Sequence, residues 1–134
     1  MRAAQILVLT TVALILAATS APAHHSFAAE FDANKPFKMT GKVTKVEWMN
    51  PHTFFYIDVK DEKTGKVVNW GMEMGSPNIL MRNGWRRDTM KNGDVVIVEG
   101  SLAKDGSPTG NARTVVLAAS GKRLFAGSSQ GTTP

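Results

Sequence analysis

From residue 42 onward, apolar and polar side chains alternate in short runs, the two-residue period of strands with one buried face. The first such run covers residues 42–48. Val43 has one parity and Val46 and Trp48 the other, so a regular strand cannot bury all three, and a β-bulge near Thr44-Lys45 is predicted. After the corner Met49-Asn50-Pro51-His52, a second strand over 53–59 sets Phe55, Ile57 and Val59 against Phe54, Tyr56 and Asp58. Aromatics on both faces suit a barrel wall whose outside is also partly covered. Residues 60–66 hold Gly65 and read as a hairpin loop. A third strand over 67–74 places Val68, Trp70, Met72 and Met74 opposite Val67, Asn69, Gly71 and Glu73.

The period then changes. Ser76-Pro77 offers a capping hydroxyl followed by a proline at the first helical position, and Asn83-Gly84 offers a left-handed stop, so a short helix is expected over 77–83. Residues 85–90 read as an irregular turn, and Lys91-Asn92-Gly93-Asp94 as a tight lead-in to the next strand. That strand, 95–102, opens with four apolar residues in succession and is expected to be central. Residues 104–108 form a turn, and 113–117 the last strand. Three strands, a helix and two strands, with the first strand bulged, predict a mainly β fold. The expected architecture is a five-stranded OB-fold-like Greek-key barrel with one short helix between strands three and four. The barrel domain is expected over 37–120, preceded by an arm over 24–36 and followed by a tail over 121–134 that is disordered at its end. In the arm, Phe27 and Phe31 stand four apart, so one helical turn or an extended segment could pin them to the barrel.

The first residues change the picture of where this domain works. Met1-Arg2, an apolar or small run over 6–18 and Ala21-Pro22-Ala23 form the pattern of a secretory signal peptide, with cleavage expected after Ala23. The run is shorter than the roughly 20 residues of a permanent span, so a soluble periplasmic or secreted protein without a transmembrane anchor is expected. With no cysteine in the chain, neither a disulfide nor a lipidated cysteine is available. The formal charge of +5, one unit of it from Arg2, is a modest excess, and export argues against nucleic acid as a partner. The expected partner is a small molecule, a metal ion or another exported protein.

His24-His25-Ser26-Phe27 directly after the signal peptide, Ala29-Glu30-Phe31-Asp32, Gly41-Lys42-Val43, Asn50-Pro51-His52, Asn69-Trp70, Gly75-Ser76-Pro77 and Gly93-Asp94 recur in this order in a known family. By these motifs the chain, from the signal peptide to about Gly127, resembles a family of small exported bacterial proteins of unknown function. Met49 departs from the small or polar residue expected before the asparagine. The resemblance implies no activity; it marks where to look.

Two constellations could carry function. If His24 becomes the first residue, its α-amine and ring nitrogen can chelate one metal ion, and a further imidazole from His25 or His52 would complete the nitrogen set that copper(II) prefers. Against this, His24 and His25 can be read as a polar leader and His52 as a hydrogen-bonding corner residue. The second constellation is a binding face of Asn50, His52, Tyr56, Trp85, Arg86 and Arg87, with aromatics for stacking and arginines for anionic groups. Trp48 and Trp70 are expected in the core, whereas Trp85, between Gly84 and two arginines, is expected to be exposed. Met39, Met72, Met74, Met81 and Met90 are read as core filler in preference to soft copper(I) ligands. No cysteine nucleophile, Gly-x-Ser-x-Gly elbow, phosphate loop or His-Glu-x-x-His helix occurs, and Glu47, Asp58 and Glu73 read as solvated or paired carboxylates. The expected function is a non-enzymatic exported binding module of unidentified ligand, with a periplasmic copper-binding protein using His24 as the alternative.

Overall fold

The structure, a computed structural model, describes residues 27–128. Residues 1–26, which hold the expected signal peptide, His24 and His25, and residues 129–134 lie outside the described residues. In chain order the elements are α1 (Phe27–Glu30), β1 (Phe31–Glu47), β2 (Phe54–Lys60), β3 (Val67–Glu73), α2 (Pro77–Arg82), β4 (Val95–Ala103), β5 (Thr109–Leu117) and β6 (Arg123–Phe125). The six strands form a mainly antiparallel sheet ordered β3-β2-β1-β4-β5-β6, and a parallel β3–β5 pairing closes it into a ring.

β1 is the strand that makes the ring turn. Its seventeen residues serve two neighbours, β4 from Phe31↔Ala103 to Lys42↔Val95 and β2 from Lys42↔Asp58 to Glu47↔Phe54. Between Val43 and Lys45 the register to β2 shifts, which is the bulge that the parity of Val43 and Val46 predicts. A second shift, at Glu99/Gly100 against β5, depends on glycine: a Cβ at Gly100 would run into the carbonyl oxygen of Asn111. The closing pairs are Gly71↔Thr109, Met72↔Gly110 and Glu73↔Asn111. At the middle pair a Cβ on Gly110 would meet the Phe37 ring at 2.5 Å, so the ring closes where side-chain bulk is absent.

Inside lie Val43, Phe55, Ile57, Met72, Val96, Val98 and Val115, each at 1% exposure or less. Leu80, from α2, joins this core. Ser76 caps that helix, its Oγ accepting from Ile79 N at 3.4 Å, with Pro77 at the start and Asn83 as C-cap. Gly84 follows at φ +90°, the left-handed stop expected from the sequence.

At the two ends of the described residues the structure adds strand to what the sequence pattern shows. The described part of the arm is a helical turn followed by strand, with the Phe27 and Phe31 ring centroids 5.7 Å apart. The pairing of β1 with β4 skips from Phe31 to Pro36, and the side chains between them are mostly exposed, so that stretch lacks an apolar period. Residues 123–125, expected in a patternless tail, pair with β5 from Thr114↔Phe125 to Val116↔Arg123, and Leu124 and Ala126 are buried. The sheet thus has six strands where five were expected. No helix among the described residues is long and apolar enough to cross a membrane.

Candidate functional site

The alternation that turns Phe55 and Met72 inward turns Phe54 and Glu73 outward. Cross-strand pairing continues this outer row from Glu73 to Asn111 on β5 and from Asn111 to Ser101 on β4. Outer-wall polar side chains are ordinarily wet. Here Glu73 is 8%, Asn111 4% and Ser101 7% exposed. At this side of the ring the chain folds back: Lys104 N donates to Glu30 O at 2.9 Å, the Lys104 ammonium donates to Ala28 O, and Phe31 is itself buried. A cleft of about 370 Å³ opens beside Glu30, lined also by Phe31, Lys104, Asp105, Ser107 and Thr109.

His52 approaches this row from the corner before β2. Its neighbour Thr53 is fixed by two backbone bonds, N to Gly75 O at 3.1 Å and O from Met74 N at 2.8 Å. The His52 ring, partly buried, places Nδ1 2.8 Å from Glu73 Oε1. Asn111 Nδ2 donates to the same oxygen at 3.5 Å. Burial pushes the Glu73 carboxyl above the usual carboxylate range; the charge and hydrogen bond of His52 oppose that, and the charge of Glu30 adds to it. Among the described residues the other ring nitrogen, Nε2, has no hydrogen-bond partner. A carboxylate-anchored imidazole with one nitrogen left over can ligate a metal or accept a proton.

The other expected residues fall in different places. Asn50 is exposed in the corner, joined to Pro51 by a cis peptide bond. Tyr56 lies on the outer wall, its hydroxyl donating to Glu47 Oε2 at 3.1 Å and the Lys45 ammonium 5.6 Å above its ring, with Lys45 also bridged to Glu47. Its phenol is held above its ordinary range, first by burial and then by the Glu47 bond.

Trp85 corrects its expected exposure. It is 1% exposed, packed among Val46, Trp48, Met74 and Met90, with Nε1 donating to Phe125 O at 2.8 Å. A tryptophan between glycine and arginines looks exposed only if the strand that receives its N–H, β6, is left out. Arg86 and Arg87 remain exposed, and Arg86 Nη1 donates to Trp85 O at 2.9 Å. No hydrogen bond or ion pair among the described residues links them to His52.

Trp48 and Trp70 pack half-buried against the core, as expected. Met72, Met74 and Met90 are core residues at 3% exposure or less and Met39 packs against them, in keeping with the filler reading, whereas Met81, on the helix surface at 43% exposure, is not core filler. No group of three histidine or acidic side chains suited to a metal occurs among the described residues. His24 and His25 lie outside them.

Glu73, read from the sequence as a solvated or paired carboxylate, is paired, with His52. Asn111 and Ser101 are the residues that sequence reasoning missed; their partners are set by pairing across the ring, which no local pattern encodes. No protein with a curated description matches the chain. A family model, described as a family of unknown function (DUF6152), matches residues 12–112, and the chain belongs to that family.

Proposed function

We propose that the protein is an exported, non-enzymatic binding module that holds a copper ion beside His52 on the wall of an OB-like barrel. The observation that carries the reading is the 2.8 Å contact between His52 Nδ1 and the buried Glu73, which leaves Nε2 without a partner among the described residues. The strand circuit β1-β2-β3-β5-β4, with the helix between β3 and β4, supports the OB-like barrel. Cleavage after Ala23 would free the α-amine of His24, three residues before Phe27, and three residues span at most about 10 Å. The pairing of Phe31 with Ala103, two residues from Ser101, supports a start of the described domain lying near this row. An amine and two imidazoles form a nitrogen set suited to copper(II). The burial of Trp85 weakens the rival reading, an aromatic and arginine face, by removing its stacking surface.

The test compares three proteins: one beginning at His24, one with an additional alanine before it, and one carrying His52→Ala. Each is titrated with copper(II) and followed by calorimetry and paramagnetic resonance. Tight binding by the first alone is expected, because an added residue moves the amine out of the chelate ring while every imidazole stays. Equal, weak uptake by all three would overturn the proposal.

A further inference from the structure

We infer that the free edge of β3 pairs antiparallel with the same edge of a second copy of this chain, about a two-fold axis at Val68. The inference is independent of the copper reading. Closure by β5 covers only Gly71, Met72 and Glu73, so among the described residues no strand lies against that edge of β3 from Val67 to Trp70. The hydrogen bonds at the two ends of the stretch show which residues face it. Lys66 O accepts from Asp61 N at 2.8 Å on the β2 side, and Gly71 N donates to Pro108 O at 3.0 Å on the β5 side. Successive residues of a strand direct their N–H and C=O to opposite edges. Lys66, Val68 and Trp70 therefore bond toward β2, whereas Val67 and Asn69 turn both groups to the open edge. Natural edges are blunted by a charge, a proline or a bulge. From Val67 to Trp70 this one carries no charge and no proline, its pairing with β2 runs without a register shift, and Val67 and Val68 are 54% and 38% exposed.

The open groups select the register. With the axis at Val68, Val67 of each copy stands opposite Asn69 of the other, and each of these two pairs exchanges both of its backbone hydrogen bonds. Moving the axis to Asn69 would set Val67 against Gly71, whose N–H is already given to Pro108; moving it to Val67 would set Asn69 against Gly65, whose N–H is given to Asp61 O. The length fits as well. The chain leaves the edge at the Gly65 turn, φ +71°, and β5 takes the edge over at Gly71. Outside the bonded pairs, Lys66 of one copy comes opposite Trp70 of the other on one face of the joined sheet, a cation beside an indole, and the two-fold axis repeats the contact. Between those ends no charged side chain meets its like. The contact is short, below the size of a standard stable interface, so a weak dimer that depends on concentration is expected.

The experiment uses the protein beginning at His24, which has no cysteine of its own. Opposite residues of a non-hydrogen-bonded antiparallel pair lie about 4.5 Å apart at Cα, within the span of a disulfide, and Val68 would face its own copy at such a position. Under mild oxidation Val68→Cys should therefore give a disulfide-linked dimer about tenfold faster than Val95→Cys, at a β4 valine of comparable exposure, 46%. Val67→Pro tests the backbone bond. It deletes an N–H facing the open edge at the first residue of the strand, where proline is accommodated. Combined with Val68→Cys it should bring cross-linking down to the control rate while the chain still unfolds cooperatively. Equal rates for the two cysteine variants, or a Val68→Cys rate that Val67→Pro leaves unchanged, would overturn the inference. Amide spectra of the unsubstituted protein need no variant to fold. On dilution from millimolar to micromolar concentration the Val67 and Asn69 signals should move more than that of Val68, which bonds to β2. Spectra independent of concentration, or shifts confined to other residues, would overturn the pairing.

Discussion

Trp85 is held from two directions, by apolar side chains around its ring and by the Phe125 carbonyl at its N–H. Trp85→Phe keeps most of the bulk but leaves that buried carbonyl without its donor, so a loss of about 1–3 kcal/mol is expected. Trp85→Ala should cost about 3–5 kcal/mol through the cavity it leaves. Urea unfolding of both variants measures the difference. Glu99 offers a test of pH dependence. It accepts from Arg123 at 3.0 Å and lies 3.2 Å from the Lys38 ammonium, and these partners, Arg123 first, hold its carboxyl below the ordinary glutamate range. A carboxyl lowered in the folded state contributes stability above its unfolded value, about 4.3, and loses it as pH falls through the lower folded value. Glu99→Gln should therefore melt slightly below the unsubstituted protein at neutral pH, with the gap closing in acid; the effect is small because Lys38 and Arg123 are largely exposed. A gap that widens in acid would contradict this sign. At this scale the sequence is informative about rarity but not about partners: His52 stands out, whereas its contact with Glu73 spans twenty-one positions that no local pattern bridges.

Elements were legible where apolar and polar residue types alternate along the chain. β2 and β3 lie within a residue of their expected bounds, and the bulge in β1 follows from parity alone. Legibility fails where glycine and asparagine serve close packing instead of turning the chain. Gly110 and Asn111 open β5, the first against Phe37 and the second beside Glu73, yet by composition they resemble a loop. It fails again at β6, whose three residues are too short to show a period. That strand still supports Trp85 and buries Leu124 and Ala126. A chain ending at Ser120 is accordingly expected to lose its cooperative unfolding transition in urea, whereas Ser76→Ala, which removes only the cap of α2, should cost about 1 kcal/mol. A truncated chain that unfolds at the same denaturant concentration as the full one would show β6 to be dispensable.

Taken whole, the molecule is a circuit completed late. The pairs that close it join Gly71–Glu73 to Thr109–Asn111, so the chain must bring together residues far apart in sequence, the kind of topology that folds in milliseconds to seconds. Membership in a family of unknown function assigns no site, and the geometry favours the side of the ring at which His52, Glu73 and Asn111 meet. The closure has a further consequence for the unfinished chain. Without β5, the sheet would end in β3 on one side and β4 on the other, each with an unsatisfied row of backbone groups. β3 even in the finished ring has Val67 and Val68 at 54% and 38% exposure. A fragment stopping at Ser107 should therefore recruit copies of itself, growing into dye-binding β aggregates that light scattering detects, and a monodisperse fragment would refute this. Until about its last fifth is available, the polypeptide has two open strand edges, and completing the circuit is what joins them.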